Sequence, residues 1–466
     1  MSDDKVPLVH PYIPNSTPAA RAAMLREIGV GSTQELYESI PPHLRLGRRL
    51  DLPEPFPSEY DLRRHVEGLL SRNRTCNEYL NFRGAGCWQH YVPAVCDEIN
   101  SRGEFLTAYG GLWYSDSGKN QAYFEYQSMM GDLLDMDAVS LTTYDASTAL
   151  STSLLMASRL TDRPEVLVPS CLSEEKRSQL ANFARTALTI TPVAYDRATG
   201  RLDLTDLRAK LSDRVAAVYV EQPSYLGVLE TEVREIGRLA HEAGALFVAG
   251  VDPISLGLLE PPGAYGADIA CGDVQPLGIH MQYGGGTAGF LASHHDPRYL
   301  EEFPTLLTTI TTTADGAGLG YGWANWVQTS WVLRELSRDF TGTTTGLWSI
   351  TAGVYLALMG PQGMREVGET IMGKSAYAAR ALGQIPGVAS PALDSSFFRE
   401  FAVDFAGTGK SVGEINAALL ERGIFGGKDL SAEFPELGQT ALFCVTEVHT
   451  QADLDRLAAT VAEVVR

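Results

Sequence analysis

The stretch Ala245–Pro253, ALFVAGVDP, decides the fold class of this chain. It is a nearly unbroken apolar run ending on an aspartate and a proline, the pattern of a strand buried on both faces that delivers Asp252 to its C-terminal end. Ala267–Asp273, ADIACGD, reads as the next strand. Upstream, the same kind of run recurs in EVLVPS (Glu165–Ser170), LTITPVAY (Leu188–Tyr195) and VAAVYVEQPS (Val215–Ser224). The amphipathic stretch TEVREIGRLAHEAG, closed by Gly244, stands between two of these strands. Strands alternating with amphipathic helices predict βαβ units and a mainly parallel sheet covered by helices on both faces.

Outward from this centre the pattern changes. Toward the N-terminus, Ser16-Thr17-Pro18 caps the helical run AARAAMLREIGV, Ser32-Thr33-Gln34-Glu35 has the spacing of a capping box, and LDLPEPFPSEYDL leads into the helix DLRRHVEGLLSRN. Toward the C-terminus, ITAGVYLALMG, GMREVGETIMGKSAYAARAL, FFREFAVDFAG and SVGEINAALLERG read as helices mixed with short strands. The expected organisation is therefore a helical arm over residues 1–80, a large α/β domain over 81–345 and a small α+β domain over 346–466. The Thr308–Gly316 stretch TTITTTADG reads as a polar loop.

With 466 residues and 44% hydrophobic content, the chain is long enough for two or three lobes with a sizeable core. Its formal charge of −20 argues against nucleic acid or an anionic membrane as partner. The N-terminus lacks a basic and apolar leader pattern, and no apolar run is long enough to span a bilayer, so a cytoplasmic location is expected. Six cysteines occur without C-x-x-C spacing, which suits a reduced chain and predicts no metal site.

The chemistry-bearing residues start with Asp252. An aspartate at a strand end, followed roughly two dozen residues later by a lysine, is the layout of enzymes that hold pyridoxal phosphate as a Schiff base. The aspartate pairs the pyridine nitrogen and the lysine forms the imine. Here the later position reads Val274-Gln275-Pro276-Leu277, and no lysine occurs between Lys210 and Lys374. An amide cannot form an imine, so the scaffold is present without its reactive amine. Tyr144-Asp145-Ala146-Ser147-Thr148 opens a small-residue helix whose hydroxyls and N–H groups suit a phosphate; capping of that helix by Ser147 or Thr148 is the plainer reading. Asp252 followed by Pro253 equally suits a turn at a strand end. Tyr283-Gly284-Gly285-Gly286 reads as a tight turn sooner than a phosphate loop, and His294-His295-Asp296 as a solvated turn. Trp323, Trp326, Trp331 and Trp348 crowd one segment and suit an interface or a pocket rim as well as core packing.

Several long segments, in order, resemble the α subunit of glycine dehydrogenase (decarboxylating), the P-protein of the glycine cleavage system. They are HPYIPNSTPAARAAMLREIGVGSTQELYESIPPHLRL, QPSYLGVLE, VDPISLGLLEPPGAYGADI, the G-x-x-QPLG turn, YGGGTAGFLA and ERGIFGGKDL with PELGQTALFCVTE. The resemblance implies an aspartate-aminotransferase-like, pyridoxal-phosphate-dependent transferase fold. It also implies a homologous β subunit that carries the cofactor and its lysine, so that Gln275 is ordinary α-subunit character.

Two segments depart from the family pattern, Tyr109–Asn120, where a T-P-Y-Q-x-E-x-S-Q-G loop is replaced, and Ser330–Thr345; together they lose a glutamine–glutamate pair and several basic residues and gain tryptophans. The expectation is an α/β heteromer of α2β2 type in which this chain has no catalytic lysine and completes the partner's site through Tyr109, Trp113, Tyr114, Lys119 and Asn120. Ser147, Thr148, Asp252 and Gln275 would be remnants of a cofactor pocket. An amino acid is the expected substrate, altered from glycine by the rewritten loops, and a lipoyl carrier protein is a further candidate partner. The alternatives are an ordinary glycine cleavage subunit, a non-catalytic structural or regulatory subunit, and an autonomous enzyme using Lys119 or another lysine.

Overall fold

The computed structural model describes residues 9, 12–13, 15–48, 50–106, 117–324, 338–339 and 341–466. They fall into two units, residues 1–73 and 74–466.

In the first unit, α1 (Pro18–Ile28) starts where the Thr17 hydroxyl accepts the Ala20 N–H at 3.2 Å and stops at Gly29, whose φ of 84° only glycine adopts readily. The helix α2 (Glu59–Leu70) is capped by Ser58, which accepts the Asp61 N–H. The expected capping box at Ser32–Glu35 does not form. The Glu35 carboxylate instead accepts the Gly31 N–H at 3.0 Å, and only a short 3₁₀ turn follows, Glu35–Tyr37. No described residue of this unit is buried.

The second unit begins with β1 (Leu80–Asn81), α3 (Ala94–Asn100), α4 (Asn120–Leu134), β2 (Ala138–Val139) and α5 (Ala146–Thr161). There follow β3 (Glu165–Pro169), α6 (Glu174–Ala184), β4 (Thr189–Val193), α7 (Leu204–Lys210), β5 (Val215–Gln222) and α8 (Val233–Glu242). Next come β6 (Leu246–Val251), β7 (Ile269–Asp273), β8 (Gly289–Ser293), α9 (Pro297–Leu300), β9 (Leu307–Thr312) and β10 (Leu319–Ala324). The chain closes with α10 (Gly346–Gly383), β11 (Glu400–Asp404), α11 (Val412–Glu421), β12 (Ile424–Phe425), β13 (Lys428–Asp429), β14 (Thr440–Cys444) and α12 (Gln451–Val464).

A seven-stranded sheet runs β2-β8-β7-β6-β5-β3-β4. The strands from β7 to β4 are parallel, β8 pairs antiparallel with β7, and β2 pairs antiparallel with β8 at the edge. The expected mixed α/β, mainly parallel architecture is present. Alternation along β5 divides the core. Val218 and Val220 pack with Tyr123 and Met130 of α4, Ile236 of α8 and Tyr355 of α10. Ala217 and Tyr219 pack with Leu150 and Leu154 of α5 on the opposite face. Every residue of β5 is buried, which explains its apolar run from Val215 to Val220.

A separate core holds the C-terminal elements, where β11, β14 and β13 form an antiparallel sheet packed by α11 and α12 through Phe401, Phe443, Leu419 and Leu457. The two C-terminal helical stretches read from sequence join into α10 across a kink at Gly360 (φ 59°) and Pro361. The Thr308–Gly316 stretch is not simply a loop. Thr308 to Thr312 belong to β9, which pairs antiparallel with β10, and Thr313 to Gly316 sit in the connection. β-Branched threonine favours extended backbone whatever its polarity.

Candidate functional site

A cavity of about 300 Å³ opens beyond the C-terminal ends of β5, β6 and β7, beside the N-termini of α5 and α6. The chain runs outward from β3 to β4 and then returns to place β5 on the other side of β3, and open parallel sheets form their ligand crevice at such a reversal. The loop Gly84–Trp88 and the pair Arg399–Glu400 complete the wall. Gly227 lets the turn after β5 approach β11 closely: at φ 84°, a Cβ there would run into the Glu400 carbonyl.

At the start of α5 the cap is neither Ser147 nor Thr148 but Asp145, whose carboxylate accepts the Thr148 N–H at 2.6 Å. Asp145 has the extended backbone of a cap, whereas the two hydroxyl residues lie inside the first turn. Asp273, at the end of β7, accepts N–H groups from Ala146 (3.1 Å), Gln275 (2.9 Å) and Ala288 (2.9 Å). Burial pushes the Asp273 carboxyl up to about 6 against the pull of those three donors. Ser147 lines the cavity; Thr148 is turned away and accepts from Gln179 Nε2 at 2.9 Å.

Asp252 reaches the cavity from the end of β6 and is ion-paired with Arg399, both nearly excluded from solvent at 9% and 2% exposure. The Arg399 guanidinium lies over the Trp88 ring, 4.0 Å from its centroid, and its Nη1 donates to His90 Nε2. His90 Nδ1 meets the Glu447 carboxylate at 2.8 Å. Burial lowers the His90 pKa, which suits a neutral imidazole that donates from Nδ1 to Glu447 and accepts Arg399 at Nε2. Burial likewise brings Arg399 down to about 10.

Among the described lining residues, Lys176 of α6 supplies the lysine amine. Burial works to lower its pKa, but the adjoining Glu221 carboxylate outweighs that and holds the ammonium charged. Gln275 is 1% exposed and stands behind the wall, its amide bonded to Trp88 and Ile279.

Lys119 and Asn120 are buried at the start of α4, away from the cavity, where Asn120 Oδ1 accepts Trp323 Nε1 at 3.2 Å. Tyr109, Trp113 and Tyr114 lie outside the described residues, as do Trp326 and Trp331. Trp348 packs against the main core. The glycine run after Tyr283 forms a turn in which Tyr283 and Gly284 have positive φ. Among the described residues there is no acid, histidine or cysteine group suited to a metal, and no helix is long and apolar enough to cross a membrane.

Sequence reading did not single out Arg399, His90, Glu447, Lys176, Glu221 or Asp273. Asp273, as the last residue of a predicted strand, carried the same positional signal as Asp252. Arg399, inside the apolar FFREFAV, carried another, because a charge in such a run needs a buried partner.

The model of the glycine cleavage system P-protein matches residues 10–461. The chain belongs to this family. It is 38% identical to a probable glycine dehydrogenase (decarboxylating) subunit 1 of Staphylothermus marinus, over 98% of each chain. It is 39% identical to the protein of the same name from Aeropyrum pernix, covering 96% of this chain and 97% of that one. A crystal structure of glycine decarboxylase (P-protein) of the glycine cleavage system in inhibitor-bound form superposes with a TM-score of 0.85 at 33% identity, covering 98% of this chain and all of that one. A sphingosine-1-phosphate lyase from Burkholderia pseudomallei shares the fold, with a TM-score of 0.64 at 17% identity over 91% of this chain and 94% of that one.

Against the cofactor expected for such a fold, the cavity of this P-protein family member does not fit. The turn after β7 offers the locked amide of Gln275 in place of an amine. Asp252 is already neutralised by Arg399, and the α5 N–H groups of Ala146 and Thr148 are bonded to Asp273 and Asp145. A covalently held ring finds no amine at that turn, and a phosphate at the start of α5 would face the Asp145 and Asp273 carboxylates.

Proposed function

We propose that this chain is subunit 1, the α subunit, of a two-component glycine dehydrogenase (decarboxylating), acting in the cytoplasm as an α2β2 heteromer. A homologous subunit 2 would hold pyridoxal phosphate on its own lysine, and a lipoyl carrier protein would take the product. The observation that carries this reading is a family match over residues 10–461 in a chain whose turn after β7 is closed by Gln275. The cofactor would supply the electron sink for loss of CO2 from the amino acid.

The contribution of this chain is shape and support. Tyr109, Trp113 and Tyr114 are proposed to line the partner's substrate site. Lys119 and Asn120 would fix the end of that segment, with the Asn120–Trp323 hydrogen bond as anchor. Glycine is favoured over an altered substrate because the full-length relatives carry that name. The rewritten segments that suggested another substrate lie mostly outside the described residues.

Co-expression with subunit 2 from the same genome tests the proposal. The pair is expected to co-purify with pyridoxal phosphate and to release labelled CO2 from carboxyl-labelled glycine when a lipoylated carrier is present. Trp113→Ala should raise the KM for glycine in the reconstituted pair. Equal turnover by subunit 2 alone would favour a non-catalytic role, and CO2 release from another amino acid in preference to glycine would restore the altered substrate. A cofactor absorbance band in the lone chain would overturn the assignment.

A further inference from the structure

In a cofactor-shaped cavity without its lysine, Asp252 would be a buried carboxylate in need of a cation, because an unpaired charge at this depth is strongly destabilising. The guanidinium of Arg399 meets it directly. Two further contacts hold that guanidinium in place, the Trp88 ring beneath it and His90 Nε2 beside it, and the main chain of Arg399 is fixed by its carbonyl, which accepts the Val445 N–H at 2.9 Å. The support extends outward through His90 to Glu447 and through Gln275 to the backbone of Trp88. At the other end of the cavity, Asp145 and Asp273 occupy the Thr148 and Ala146 N–H groups at the start of α5.

We infer that Arg399 is a built-in surrogate for a ring cation, closing this chain's own cavity to pyridine-type cofactors from within. A pyridinium approaching Asp252 would have to displace the guanidinium and leave it buried without its carboxylate. A phosphate at the other end would face two carboxylates. The cavity thus keeps its shape and its aspartate while that aspartate is paired from within. Arg399 acts here as a positioning and neutralising residue, and its loss is felt in folding and in cation binding sooner than in turnover.

The test uses the purified full-length chain without subunit 2, so its outcome is separate from that of the reconstituted pair. Wild-type protein incubated with pyridoxal phosphate and gel-filtered should retain no stoichiometric ring absorbance and show no single-site adduct after borohydride reduction. Arg399→Ala should lower the melting temperature by more than about 5 °C. Guanidinium ion, well below denaturing concentrations, should restore part of that loss in Arg399→Ala but not in wild type or in Asp252→Ala/Arg399→Ala. Should Arg399→Ala fail to fold, the neutral pair Asp252→Asn/Arg399→Gln replaces it and should melt higher than either of its single variants. Stoichiometric cofactor uptake by the wild type, absence of guanidinium rescue in a folded Arg399→Ala, or simple additivity of the two single substitutions would each overturn the inference.

Discussion

The side chain of Gln275 and the backbone of Trp88 bond to each other twice: Oε1 accepts the Trp88 N–H at 3.0 Å and Nε2 donates to the Trp88 carbonyl at 2.9 Å. Nε2 also donates to the Ile279 carbonyl at 3.0 Å. The residue that follows β7 is thus a strut, fixing the loop that carries Trp88 beneath Arg399. Removing it leaves backbone polar groups without partners at a site 1% exposed. Gln275→Ala should therefore cost about 2–4 kcal/mol in urea unfolding, with an unchanged denaturant slope. Gln275→Glu should be at least as damaging, because it sets a carboxylate against two carbonyls.

Asp273 gives the cavity a pH signature. Burial raises its carboxyl to about 6 from an unfolded value of 3.8, so the folded chain binds the proton more tightly than the unfolded one. Its contribution to stability is fully present below pH 3.8 and is lost as pH rises through about 6. Asp273→Asn cannot ionise and should remove this term. Relative to wild type, the variant should gain on the order of 2 kcal/mol in unfolding free energy between pH 4 and 7, read from denaturant titrations at both ends.

Much of the fold was legible because β3, β5, β6 and β7 are buried on both faces, and burial of that kind leaves an apolar run that can be read directly. Asp252 was legible for the related reason that a charge terminating such a run must face something. Its partner was not, because Arg399 lies 147 positions away on a different lobe, and only the folded chain brings the two together. The cap of α5 was misread as Ser147 or Thr148, since Asp145 differs from them in backbone conformation and not in capping chemistry. β9 was hidden by polarity: a strand exposed on much of its surface has no apolar run to announce it.

Lys176 and Glu221 form the other ion pair of the cavity wall, with the Tyr219 hydroxyl 3.1 Å from the same Glu221 oxygen. Lys176→Met would leave Glu221, which is 6% exposed, without its cation. A loss of about 3 kcal/mol is expected in the lone chain, and Glu221→Gln in the same background should recover part of it. Because Glu221 holds the ammonium charged, Lys176 is a poor nucleophile, and reductive trapping with pyridoxal phosphate should label wild type and Lys176→Met equally.

Among the described residues, the first 73 hold more than half of the exposed large apolar side chains, Leu62, Val66 and Leu69 on α2 among them, and none of their described residues is buried. Local stability follows buried apolar contact, so this unit should open at little cost in the lone chain. Limited trypsin digestion is expected to cut first at its arginines, between Arg21 and Arg74, and to leave a resistant fragment that begins near Arg74. Leu69→Ala should shift the unfolding free energy of the lone chain by less than about 0.5 kcal/mol, since no buried contact is lost. First cleavage within residues 117–324, with residues 15–73 intact, would show that the unit is held far more firmly than its exposure implies. Adding subunit 2 before the protease then distinguishes a free arm from a covered one, because cover by the partner would slow cutting at Arg63 and Arg64 on α2 while leaving the fragment boundary near Arg74 unchanged.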